Sequence, residues 1–113
     1  MDIIDAHLHL FPEAELRFEE MARTVGHHNS TEHLRQVYRE LHIVHGVVMG
    51  NRSLDPADHN YPPDLFHYCA GLDSSLLGTG TEPVSRLADR IEEHLARPCC
   101  CGVKLYPGYN KIC

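Results

Sequence analysis

The sequence predicts an α/β fold made of parallel β/α units, and three observations carry that reading. Four short apolar runs, at about residues 2–9, 43–49, 65–72 and 99–106, have the length and the β-branched or aromatic content of buried strands. Between them lie segments whose apolar residues recur at helical spacing instead of alternating. A strand, a crossover helix and a second buried strand in succession make a βαβ unit, which requires parallel strands and a right-handed crossover.

Taken in order, the adjacent Ile3 and Ile4 suit a strand buried on both faces. Pro12 can occupy the first position of a helix, with Glu13 and Glu15 at its positive end and Ala14, Phe18, Met21, Ala22 and Val25 at helical spacing. Such a helix suits an ordinary amphipathic packing element. Gly26-His27-His28-Asn29 reads as a polar loop. Asn29, with Glu32 three residues later, offers a cap for a second helix with the stripe Leu34, Val37, Tyr38 and Leu41. Residues 43–49 form strand two, ended by Gly50-Asn51. Residues 51–64 are rich in Pro, Asp and Asn and predict a loop with at most one helical turn.

Strand three spans residues 65–72 and closes on Asp73. Gly78-Thr79-Gly80-Thr81 lacks the glycine spacing of a phosphate-binding loop, and Thr81 can cap a third helix. Val84, Leu87, Ala88, Ile91 and Leu95 line the inner face of that helix, and Arg97-Pro98 ends it. Strand four runs from Cys99 to Tyr106, followed by the turn signal Pro107-Gly108. The expected strand order is 1-2-3-4, with helices on one side.

The chemistry-bearing residues sit at the start. Strand period two puts Asp5, His7 and His9 on one side. Two neutral imidazoles at that spacing can reach one divalent metal ion. The plainer alternative is a pair of histidines satisfied by hydrogen bonds.

Ile4-Asp5-Ala6-His7-Leu8-His9-Leu10 resembles the strand-one signature of the amidohydrolase superfamily, in its amidohydrolase-related branch of hydrolases and decarboxylases. Gly102-Val103-Lys104-Leu105-Tyr106-Pro107 resembles the strand-four segment of the same barrels. The resemblance implies a TIM-type (β/α)8 barrel with His7 and His9 as metal ligands at the C-terminal mouth of strand one. It makes Lys104 a candidate third ligand, since some branches carbamylate the equivalent lysine to bridge two metals. A lysine paired with a carboxylate such as Asp5 is the alternative. A full barrel takes about 250 residues, so residues 1–113 are expected to form a single partial domain, the first half of that barrel. In the family the remaining ligands are histidines on strands five and six and an aspartate on strand eight.

The expected function is therefore metal-dependent hydrolysis of a C–N or C–O bond in a small-molecule substrate, with a divalent metal, zinc foremost. The expected ways of covering the open sheet are a homodimer or a missing second half. The alternatives are an inactive half-barrel interaction module and a decarboxylase on the same frame. With 42% hydrophobic and 23% charged residues, the composition is that of a globular protein. A net charge of −6 with no Lys/Arg patch argues against nucleic acid. No apolar run is long enough for a membrane span, and no leader pattern opens the chain, so a cytoplasmic location is expected. The five cysteines read as small, buried, reduced residues, and the consecutive Cys99, Cys100 and Cys101 cannot converge on one metal without distortion, since strand neighbours point to opposite faces. Most of the ten histidines read as loop or helix-surface residues.

Overall fold

In a computed structural model, residues 1–50, 55–71 and 82–105 are described. They form β1 (Ile3–Leu8), α1 (Leu16–Arg23), α2 (Thr31–Glu40), β2 (Ile43–Met49), a 3-10 turn (Pro56–Asp58), β3 (Phe66–Gly71), α3 (Glu82–Leu95) and β4 (Cys100–Lys104). The strands make one parallel sheet in the order β1-β2-β3-β4. This is the α/β architecture of parallel units that the apolar runs predict. Leu72, Asp73, the Gly-Thr loop with Thr81, and the turn at Pro107-Gly108 lie outside the described residues.

Burial separates the two faces of the sheet. Phe66, Tyr68 and Ala70 alternate along β3 and are fully buried, as is Val48 on β2. With Tyr38 of α2 and Leu65 they form the core, and Leu34 of α2 and Ile91 of α3 pack against it. Period-two alternation then turns His45 and Val47 of β2, and His67 and Cys69 of β3, to the face opposite these helices.

Two glycines permit this packing. A Cβ on Gly46 would sit 2.8 Å from the Tyr38 hydroxyl and 2.9 Å from the Phe66 ring. A Cβ on Gly50 would strike backbone, the Cys69 carbonyl and the Gly71 nitrogen, the latter at 2.6 Å. The chain enters β2 through His42 at φ 58, a left-handed conformation unusual for a non-glycine residue, and the His42 carbonyl accepts a hydrogen bond from Ile3 N–H at 3.0 Å.

The helices depart from expectation in their ends and faces. The first starts at Leu16, not Pro12, because Pro12–Glu15 closes a turn and the Glu13 carboxylate is taken by the Thr31 N–H and hydroxyl, both at 2.6 Å. None of its residues is buried, and Met21 and Val25 are exposed. Ser30, not Asn29, caps α2 by accepting from His33 N–H at 3.1 Å. Asn29 instead donates its N–H to Glu19 and its amide to the Pro12 carbonyl. In α3, Val84 and Leu95 are exposed, and the inward stripe runs through Leu87, Ile91 and His94. The Asp55-capped turn Pro56–Asp58 accords, among the described residues, with the loop of at most one helical turn expected over 51–64. No helix among the described residues is long and apolar enough to cross a membrane.

Gly50→Ala is expected to destabilise the fold more than Gly46→Ala, since backbone yields less than a phenol or a ring. Overpacking of this kind costs about 1–3 kcal/mol. Denaturant midpoints at unchanged m-value check the order.

Candidate metal centre

The N-terminal strand ends in the histidine pair. His7 lies within β1 and His9 one residue beyond it, at the C-terminal edge of the sheet. Their Nε2 atoms are 3.3 Å apart, with ring centroids at 5.2 Å and planes 69° apart. Two nitrogens bound to one tetrahedral ion at about 2.0–2.1 Å are about 3.3–3.4 Å from each other. The pair thus has the bite of a zinc chelate, and one tautomer lets the same two nitrogens share a proton. Both residues are exposed, so an ion has access.

Asp5 does not join them on one side, as strict alternation required. Asp5 pairs with Gly46 and Leu8 with Val48, so three steps on β1 span two on β2. That bulge turns both Asp5 and Leu8 toward the helices. There Asp5 Oδ2 accepts from the Tyr38 hydroxyl at 3.1 Å, while Oδ1 accepts from His7 N–H at 3.2 Å. Burial, then the Asp5 carboxylate, holds the Tyr38 hydroxyl well above the usual phenol range. Asp5 therefore anchors the histidine backbone to the core helix.

Lys104 ends β4, opposite Gly71, and is half-buried. It shares the C-terminal edge with His7 and His9 but stands three strands away, roughly 14 Å along a flat sheet at about 4.8 Å per strand. Among the described residues no three His, Cys, Asp or Glu side chains converge in a group able to hold a metal. The fold brings the two histidines together; it leaves Lys104 at the far side of the sheet. A groove of about 380 Å³ lined by Asp2, Arg35, Arg39 and His42 lies at the opposite, N-terminal edge. In parallel α/β sheets, ligands bind outside the carboxyl ends of the strands, so this groove is the less apt site.

Four histidines stand apart from the loop and helix-surface positions expected of most, two of them within the strands expected at 43–49 and 65–72. His45 on β2 and His67 on β3 meet on the face opposite the helices, Nε2 to Nδ1 at 2.5 Å. Desolvation, reinforced by His67, lowers the His45 pKa. His59 and His94 are fully buried. His94 Nδ1 shares a 2.8 Å hydrogen bond with the Tyr68 hydroxyl, and the His59 ring stacks on Tyr68 at 4.9 Å. The Gly26–Asn29 loop is polar as expected: His28 Nδ1 lies 2.8 Å from Glu19, and that contact leads the causes that hold the Glu19 carboxyl at about 2. The described cysteines are less buried than expected, Cys69, Cys99 and Cys100 being half-buried and Cys101 exposed, while Cys113 lies outside the described residues. Strand parity, counted outward from the large apolar residues of β2 and β3, was the available signal for His45, His67 and Cys69.

No family model, curated protein or solved structure significantly matches this chain.

The lowered His45 pKa sets a pH dependence. Its unfolded form binds a proton at about 6.5, above the pKa of the folded form, so stability falls as pH drops below about 6.5 and levels off below the folded pKa. Unfolding midpoints measured from about pH 7.5 to 5.5 should fall in the wild type and fall less in His45→Gln.

Proposed function

We propose that this chain forms the first four β/α units of a TIM-type barrel of the amidohydrolase kind, and that it belongs to a metal-dependent hydrolase. The observation carrying this reading is the 3.3 Å Nε2 pair of His7 and His9 at the C-terminal end of the first strand of a parallel sheet. Active sites of (β/α)8 enzymes lie at that end.

His7 and His9 hold a divalent ion, zinc by donor type and bite. When bound, such an ion supplies an acidified water and Lewis-acid polarisation of a carbonyl. Asp5, held by the Tyr38 hydroxyl, fixes the backbone that carries His7 by accepting its N–H. Lys104 offers an amine on the same edge, which would serve either as an anionic carbamate ligand, formed by its neutral amine with carbon dioxide and release of a proton, or, protonated, as a charge facing an anionic group. A further segment or a second chain, a homodimer included, supplies the remaining ligands and the catalytic aspartate. Closing the sheet into a barrel would also cover β1 and β4, the edge strands of the sheet among the described residues. The substrate is a small molecule with a C–N or C–O bond to a carbonyl carbon. The described cysteines are free thiols, which supports a reducing, cytoplasmic setting.

Equilibrium dialysis against zinc, read by elemental analysis, tests the centre. The full chain is expected to retain about one zinc through His7 and His9, and His7→Ala/His9→Ala to lose it with an unchanged circular dichroism spectrum. Equal retention in both proteins, or none in either, refutes the assignment. Metal-dependent turnover in an ester, lactone and amide screen, absent from the double variant, is the expected catalytic readout.

A further inference from the structure

A second pair of donors lies on β3 and β4, apart from the histidine pair. Cys69 Sγ and Cys101 Sγ approach to 4.0 Å across the two parallel strands. Consecutive strand cysteines cannot converge on an ion, and Cys99, Cys100 and Cys101 do not. The partner of Cys101 comes from the neighbouring strand, with the irregular pairing between Tyr68 and Cys69 shifting the register that brings it there. Cys100 turns the other way, packing against the core and donating its thiol to the Gly102 carbonyl at 3.5 Å. Gly102 keeps the space beside Cys69 open, since a Cβ there would lie 3.3 Å from its sulfur.

Two thiolates held by one ion at about 2.3 Å stand about 3.8 Å apart at the tetrahedral angle and about 4.6 Å apart when linear. The observed 4.0 Å falls between these limits. With no third His, Cys, Asp or Glu converging among the described residues, the pair suits an ion content with two soft donors. Thiolate ligands select such ions, Cu(I) foremost among biological metals. We infer that Cys69 and Cys101 form a two-thiolate site for Cu(I).

Access comes from Cys101, which is exposed, while Cys69 forms the half-buried wall. The Cys101 thiol donates to the Tyr68 carbonyl at 3.5 Å, and that proton and the Cys69 proton leave as the ion enters. Burial and the neighbouring Cys101 push the Cys69 thiol up to about 11, and Lys104 pulls it back. Proton release makes binding stronger as pH rises, and the Lys104 charge offsets the excess negative charge of two thiolates on a monovalent ion.

The test uses the full chain, reduced under anaerobic conditions and titrated with Cu(I) against a chromophoric Cu(I) chelator. Wild type, Cys100→Ser and His7→Ala/His9→Ala are expected to take about one ion each through the two thiolates. Cys101→Ser and Cys69→Ser are expected to bind weaker by more than the 10–100-fold, roughly, that changes behind a metal ligand cost. Cys101→Ser is the decisive variant, because its exposed side chain can change without disturbing the core, as a circular dichroism melt verifies. Copper left wholly with the chelator overturns the inference. So does undiminished binding in Cys101→Ser, or an equal loss in Cys100→Ser.

Discussion

Tyr68 is fully buried, with its ring stacked on His59, its hydroxyl bonded to His94 and the Arg97 guanidinium 5.6 Å from its ring centre. A phenol placed there without a partner for its hydroxyl costs about 1–3 kcal/mol, so the site depends on His94 from α3 and Arg97 just beyond it. Arg97 also donates to the Pro56 carbonyl and to Asn60 at 3.0 Å, joining the connection before β3 to the end of α3. Burial raises the Tyr68 hydroxyl to about 12, keeping it neutral across the physiological range. This polar cluster decides which face of β3 is inside.

From that choice the other face follows. With Phe66, Tyr68 and Ala70 turned to the helices, His67 and Cys69 must turn away. Parallel pairing passes the choice along the sheet, Val48 standing opposite Tyr68 on β2 and Cys100 opposite it on β4. One face is thereby an apolar core sealed by α2 and α3, and the other carries imidazoles and thiols. The close approaches at Gly46 and Gly50 belong to the sealed face and the strand contacts, where there is no room for a methyl group.

The histidine pair obeys a different constraint. A bulge in β1 diverts Asp5 to the core side, where one carboxylate oxygen meets the Tyr38 hydroxyl and the other the His7 N–H. The same irregularity that broke strict alternation ties the His7 backbone to a buried tyrosine. Such anchoring holds the backbone that carries His7 in a fixed place beside the core.

The sequence by itself determined the parallel α/β class, the four strands and three helices, their order and the neighbouring placement of His7 and His9. Those features depend on periodicity and on spacing within one segment, which a linear pattern records. It did not determine that Ser30 caps α2 in place of Asn29, because Glu19 and the Pro12 carbonyl, distant in sequence, engage Asn29. Nor did it determine that His94 is buried under Tyr68, that His45 meets His67, or that Cys101 finds Cys69. Each of these depends on which strand lies beside which and in what register, and on a bulge that resets parity by one residue. A one-residue shift reverses every side chain that follows, so such pairings exist only once the sheet has assembled.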